Sequence, residues 1–307
     1  MTEPTNIDDV KALGRRLSNW GRWGEDDEIG TLNFVTPEVR IAAAGMVRTG
    51  KVFDLGMEFG SSGPFSRAGM ARFNPIHLMS VSPLDVIAND VIAADDVIVM
   101  GIQSATQWDG LAHAGYDGRL YNDAPAAVLT TRRGATRNSY TAAVERCVSR
   151  GVLLDIARLR GVDALEPGDE ITADDLDAAV DVANVAVGSG DVLLIRTGIY
   201  RHFLAGDHER YMGPAPGLGL STLQWLRARE IAAVASDNWG VELQPSRIDG
   251  WSVPFHMVAI RDMGLMLGEM FALEDLAADC AEDGVHEFLF CGTGLKITNS
   301  VGAPVTP

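Results

Sequence analysis

Gln103, Gln107, Asp109 and His113 fall within one short segment, Gln103-Ser-Ala-Thr-Gln107-Trp-Asp109-Gly-Leu-Ala-His113. Within these 11 residues lie two amide carbonyls, a carboxylate and an imidazole, the densest cluster of functional side chains in the chain. Carboxylate and amide oxygens are hard donors that favour hard divalent cations. An imidazole with an unperturbed pKa of about 6.5 can take and return a proton at neutral pH. The same residues also fit an ordinary polar loop that happens to contain one histidine, and spacing alone does not separate the two. The apolar run Val97–Ile102 directly precedes the segment and reads as a strand. Polar groups at a strand end in an α/β protein point into the usual ligand crevice.

The segment resembles the motif His-x-Gly-Thr-His-x-Asp-x-Pro-x-His of the cyclase / kynurenine-formamidase-like hydrolases, a family that includes isatin hydrolases. Thr106, Asp109 and His113 match it; Gln103 and Gln107 stand in place of the first two histidines, Ala105 in place of the glycine and Leu111 in place of the proline. The resemblance extends to Trp23–Asn33, Gly190–Gly198, Ser236–Glu242 and Gly302–Val305, which follow in the family's order along nearly the whole chain. It implies a catalytic divalent metal with Asp109 as shared ligand, His113 as general acid/base, and His256 and Glu269 as a downstream ligand pair. Their separation is one residue longer than in the family pattern.

Replacing histidine by glutamine exchanges a nitrogen donor for a neutral and weaker oxygen donor. Gln103 and Gln107 can still coordinate through their carbonyls, which shifts preference towards manganese or magnesium. Alternatively Asp109, His256 and Glu269 keep one metal without them, or the site has lost its metal. Read without the resemblance, His256 is equally an ordinary core histidine. Glu269 is harder to dismiss, because a carboxylate inside Met263–Phe271 is costly to bury unless paired or metal-bound. The expectation is a retained divalent ion, manganese or zinc. It would activate water for hydrolysis of a small cyclic or aryl amide, imide or lactone. Two alternatives stand beside it: a cyclase or dehydratase on the same site, and a non-catalytic binding protein on a decayed hydrolase scaffold.

Trp108, Tyr121, Asn122 and Glu242 are candidates to contact substrate, and Asp237 is a further carboxylate expected to face the site. Trp20 and Trp23 read more readily as packing aromatics. His77 reads as a surface residue, and Arg196 as half of a structural ion pair. Gly217-Leu-Gly-Leu220 lacks the third glycine of a dinucleotide fingerprint and reads as a turn.

These side chains need a scaffold, and the pattern along the chain describes one. Thr36-Pro37-Glu38 opens a helix that Gly50 would close, Thr172 to Asp175 forms a capping-box variant, and Ser221 opens a third helix. Val152–Ile156, Val192–Ile195 and Ile231–Ala235, with Val97–Ile102, are apolar runs of strand length. Alternating helices and buried strands make an α/β protein. The resemblance implies the swivelling β/β/α type, with a mixed central sheet, helices packed outside, and homo-oligomers (a dimer or tetramer). One domain over 1–307 is expected, with residues 1–50 as an N-terminal helical extension.

With 42 acidic against 25 basic residues the net charge is −17, which repels phosphate backbones and argues against a nucleic-acid partner. Cys147, Cys280 and Cys291 are widely spaced and form no CxxC pair, which argues against a disulfide framework or a cysteine-built zinc site. No uninterrupted apolar stretch reaches membrane-spanning length, and Met1-Thr-Glu-Pro-Thr5 has neither a basic nor an apolar leader region. The expectation is therefore a cytoplasmic protein without membrane contact, acting on a small molecule.

Overall fold

The structure is a computed structural model that describes residues 3–65, 72–82 and 92–307. Its centre is a seven-stranded mixed sheet built from β3 (Gln107–Asp109), β4 (Val148–Asp155), β5 (Val192–Arg196), β6 (Ala233–Ser236), β7 (Met266–Glu269), β8 (Glu287–Cys291) and β9 (Gly302–Pro304). Their order across the sheet is β8-β4-β5-β6-β7-β3-β9. The four strands from β4 to β7 run parallel, while β8, β3 and β9 are each antiparallel to the neighbour they join. The parallel strands β5, β6 and β7 are buried on both faces, so their sequences are continuous aliphatic runs rather than alternating ones.

Helices surround this sheet. α1 (Ile7–Leu17) packs on a later helical segment, and α2 (Pro37–Ala44) packs on β4. α3 (Ala173–Ala183) also rests on β4, and α4 (Ser221–Ala228) rests on α3. The short α5 (Pro254–His256) runs on as a π-helical segment, Met257–Met263, and α6 (Glu274–Asp283) returns to β4. Thr36 caps α2 by accepting from the Val39 N–H. Thr172 and Asp175 cap α3 reciprocally, as the capping box requires. α2 ends at Ala44 with Gly45 as its cap, several residues before the stop expected at Gly50. The three cysteines are free, and no described helix is long and apolar enough to cross a membrane.

One expected strand lies elsewhere. The run Val97–Ile102 is not part of the central sheet; β2 (Asp95–Val99) pairs only with β1 (Ile76–Val81) in a separate antiparallel ribbon. Its side chains are exposed on both faces, so its apolar character does not reflect burial within this chain. Met263–Phe271, by contrast, is fully internal: it contains β7, and its apolar side chains lie in the core, not on an outer surface.

Candidate metal centre

The register of β3 against β7 builds the site. Gln107 stands opposite Glu269, Trp108 opposite Gly268, and Asp109 opposite Leu267. Side chains alternate along a strand, so Gln107 and Asp109 share one face with Glu269, while Trp108 points to the other. On that other face Trp108 is buried, donates its indole N–H to the Gly292 carbonyl at 2.7 Å and packs edge-on against Phe271 and Phe290. It is a core residue and not a substrate contact. Gly268 makes this packing possible, because a Cβ there would lie 2.8 Å from the Trp108 ring and 2.7 Å from the Ala235 methyl.

Thr106 ties the entry of β3 to the exit of β7. Its hydroxyl donates to the Met270 carbonyl at 2.5 Å and accepts from the Met57 N–H at 2.8 Å. His256, at the end of α5, is then held over the pair by Glu242. That carboxylate accepts from the Phe255 N–H at 3.0 Å, from the His256 N–H at 2.9 Å and from the ring Nδ1. Glu242 therefore orients a histidine, and this replaces its expected role as a substrate contact. With Nδ1 engaged, His256 Nε2 faces Glu269 Oε1 at 3.3 Å and Asp109 Oδ2 at 3.8 Å.

Asp109 is fully buried, and neither of its carboxylate oxygens accepts a hydrogen bond; Gln107 Oε1 is buried without a partner as well. Buried polar atoms are nearly always paired, so this cluster is arranged for something other than its own side chains. Donors bound at roughly 2.0–2.2 Å to one ion stand about 3–3.5 Å apart, close to the spacing found here. Asp109, His256 and Glu269 each offer an atom within 4.8 Å of the others. Nδ1 bonding to a carboxylate is also how ligating histidines are usually oriented. The residues present fit a divalent cation.

The electrostatics agree. Burial pushes the Asp109 carboxyl up to about 6, with the charge of Glu269 adding to it and His113, His256 and Arg72 pulling it back. Burial alone would discharge His256, but Glu242 and Glu269 hold it at about 10. Despite its burial, Glu269 is held below its ordinary value by the hydrogen bond from His256 and by the charge of Arg72. An imidazole facing two carboxylates keeps a proton, and a bound cation takes that proton's place.

His113 reaches the same place from the turn after β3, with Nδ1 3.6 Å from Asp109 Oδ1. It is partly exposed where Asp109 is not. Arg72, at the entry to β1, also comes in from the solvent side, with Nη1 3.3 Å from Glu269 Oε2. Nothing in the sequence singles out Arg72: it lies outside the motif and in no periodic element, and only the fold brings it to Glu269. Gln103 is less central than its motif position suggests. Its amide nitrogen is buried beside Gly302 without a hydrogen bond, and no contact joins it to Asp109, His256 or Glu269 among the described residues.

Three further expectations are corrected by position. The Tyr121 hydroxyl donates to Asp27 at 2.8 Å, and its ring is fully buried. The Asn122 side chain donates to the carbonyls of Gly24, Glu25 and Asp27 and accepts from the Gly21 N–H. Both residues fasten the N-terminal segment and contact no site group. Asp237 accepts from the Thr197 and Gly198 N–H groups and the Thr197 hydroxyl, so its carboxylate closes the turn after β5 instead of facing the site. Arg196 is a buried ion-pair partner of Asp155 and Glu274, and His77 pairs with Asp96 on the exposed ribbon.

A family model described as "Putative cyclase" matches residues 43–243. A crystal structure described as a novel cyclase is 36% identical over 96% of this chain and 97% of that chain, with a TM-score of 0.88. An isatin hydrolase bound to the product analogue thioisatinate is 17% identical over 88% of this chain and 97% of its own, with a TM-score of 0.62. Isatin hydrolase A from Ralstonia solanacearum is 19% identical over 88% of this chain and 96% of its own, again with a TM-score of 0.62. At such identities the two hydrolases share the fold and no more. No curated protein matches the chain.

Proposed function

This chain belongs to the Cyclase family, and on that premise we propose that it is a metal-dependent hydrolase of a small cyclic or aryl amide, imide or lactone. The observation that carries the reading is the Asp109 carboxylate, fully buried and without a hydrogen bond on either oxygen, beside His256 and Glu269. Asp109, His256 Nε2 and Glu269 Oε1 would hold the ion, with Gln107 Oε1 available as a fourth donor. Their oxygen-rich set suits manganese, and the imidazole also admits zinc. The bond class follows the isatin hydrolases that share the fold, whose name states what they hydrolyse.

A bound divalent cation would supply an acidified water. The chain's own residues do the rest. Glu242 fixes the tautomer and direction of His256. Asp109 and Glu269 would hold the ion from below, with Gln107 beside them, all three buried. His113, close to Asp109 and open to solvent, carries the proton from the attacking water to the leaving nitrogen or oxygen.

Elemental analysis of the purified protein and of Asp109→Ala, with no metal added, tests this reading. Near-stoichiometric manganese or zinc that disappears in the variant supports it. Protein that remains metal-free after incubation with both ions would overturn it and favour a binding role without turnover. The mass of the product separates hydrolysis (one water gained) from cyclisation or dehydration.

A further inference from the structure

The geometry points to a centre that holds one divalent cation, with the guanidinium of Arg72 supplying the second positive charge and receiving the carbonyl oxygen of the substrate. This rests on the metal-hydrolase reading above and adds to it the number of ions and a residue outside the motif.

The two oxygens of Glu269 are in different surroundings. Oε1 faces His256 Nε2 at 3.3 Å. Oε2 faces two N–H donors, the amide of Gln107 and Arg72 Nη1. A carboxylate only accepts, so the Gln107 amide must present its nitrogen to Glu269. A second ion bridging Asp109 and Glu269 would have to displace both donors from Oε2. It would also lie against a guanidinium that cannot lose its proton. The positions where the family pattern has two more histidines carry Gln103 and Gln107, and among the described residues only Asp109, His256 and Glu269 gather as a metal-binding group. Asp109, Glu269 and Glu242 carry three negative charges, which one dication and the guanidinium of Arg72 balance without a second ion.

Arg72 also stands on the side of the site that faces solvent. Its side chain is 27% exposed and that of His113 23%, against 0% for Asp109 and 3% for Glu269. A substrate entering from solvent meets the guanidinium and the imidazole before it meets the buried carboxylates. The phenyl ring of Phe65 lies 6.0 Å from the guanidinium carbon, an apolar neighbour that strengthens its charge by excluding water.

In the step assigned to Arg72, the water oxygen forms a bond to the carbonyl carbon. The C=O π pair moves onto the carbonyl oxygen, which accepts from the guanidinium N–H. The pair on the oxyanion then re-forms the C=O as the C–N or C–O bond breaks; the bonding pair leaves with the nitrogen or oxygen, that atom takes the proton carried by His113, and the product acid loses its remaining proton to solvent. The product bears a carboxylate, which faces the same guanidinium. The substrate is therefore uncharged at the scissile group, and small carboxylates should bind as product mimics.

The test uses the full chain, stripped of metal by chelation, in three forms: wild type, Arg72→Met and Arg72→Lys. Calorimetric titration with Mn2+ and elemental analysis after dialysis give stoichiometry and affinity; benzoate titrated into the manganese-loaded protein probes the anion subsite. We expect one ion per wild-type chain. Arg72→Met should bind manganese about tenfold more tightly and benzoate at least tenfold more weakly, with Arg72→Lys restoring wild-type ion affinity and part of the benzoate binding. Two ions per wild-type chain would overturn the single-ion centre and leave the metal-hydrolase reading standing, whereas no bound ion would overturn that reading itself. Unchanged benzoate affinity in Arg72→Met would remove Arg72 from the anion subsite.

Discussion

Glu242 grips His256 at two points, accepting from its backbone N–H at 2.9 Å and from ring Nδ1, so that Nε2 alone is turned towards Asp109 and Glu269. The residues are 14 apart in sequence and come from different segments, a loop beyond β6 and the end of α5. Neutralising the carboxylate keeps the shape but weakens the hold on tautomer and direction. Partners of this kind typically contribute about 10–100-fold in metal affinity. Glu242→Gln is expected to bind manganese weaker by about that factor while its far-ultraviolet circular dichroism stays unchanged. Titration calorimetry measures it, and wild-type affinity in the variant would mean that Glu242 serves only the fold.

Asp109 sets function against stability. A buried carboxylate with no hydrogen bond on either oxygen is costly to the folded state unless an ion is bound. In metal-free protein at neutral pH, Asp109→Asn should therefore be more stable than wild type, by roughly 1–3 kcal/mol. In the presence of excess manganese the order should reverse, because only wild type gains from binding. Urea unfolding with and without metal reads both signs. A variant less stable than wild type in the metal-free state would show that the carboxylate is already satisfied.

His113 touches Asp109 only loosely, at 3.6 Å, and lies outside the group that gathers around the ion. Removing it should spare the metal and abolish the proton transfer. His113→Ala is expected to keep its metal content and to lose about 10²–10⁴-fold in turnover. Metal analysis alongside kinetics on any substrate found by screening separates this from a ligand role, in which metal and turnover would fall together.

Much of the scaffold is legible in the amino-acid sequence alone. β4, β5 and β6 overlap the three aliphatic runs at 152–156, 192–195 and 231–235, because a parallel strand buried on both faces leaves an unbroken apolar segment. The capping box at Thr172 is a local hydrogen-bond pattern and is equally plain. Val97–Ile102 shows the limit of that logic: an apolar run of strand length need not be buried within its own chain. Trp108 departs from its expected role because Gln107-Trp-Asp109 reads as a loop; as a strand its alternation sends the indole to the core. Glu242 and Arg72 owe their roles to contacts across loops and register, for which no local pattern exists.

Asn122 offers a contrast to the site residues. It adopts a left-handed conformation, φ 55°, and its amide bonds to three carbonyls and one N–H of the segment from Gly21 to Asp27. Truncation would leave several of those groups unpaired, at about 1–3 kcal/mol for a buried group left without its partner. Asn122→Ala should unfold at lower urea, by about 2–3 kcal/mol, with manganese affinity equal to wild type. A loss of substrate affinity without a loss of stability would return Asn122 to the pocket.

The exposed ribbon carries the last prediction. Ile76, Leu78, Met79, Val97, Ile98 and Val99 are each between 44% and 56% exposed, on both faces of a two-stranded sheet with no further described strand on either edge. An isolated hairpin is marginal in water, and contiguous exposed apolar residues are a common feature of interaction surfaces. We propose a second copy of this chain as the cover. A two-fold axis can align two open edges against each other. Light scattering on the purified chain should give a dimer or a larger even assembly, and Leu78→Glu combined with Ile98→Glu should shift it to monomer. A wild-type chain that is monomeric at micromolar concentration would sink the idea, since the ribbon would then stand in water uncovered.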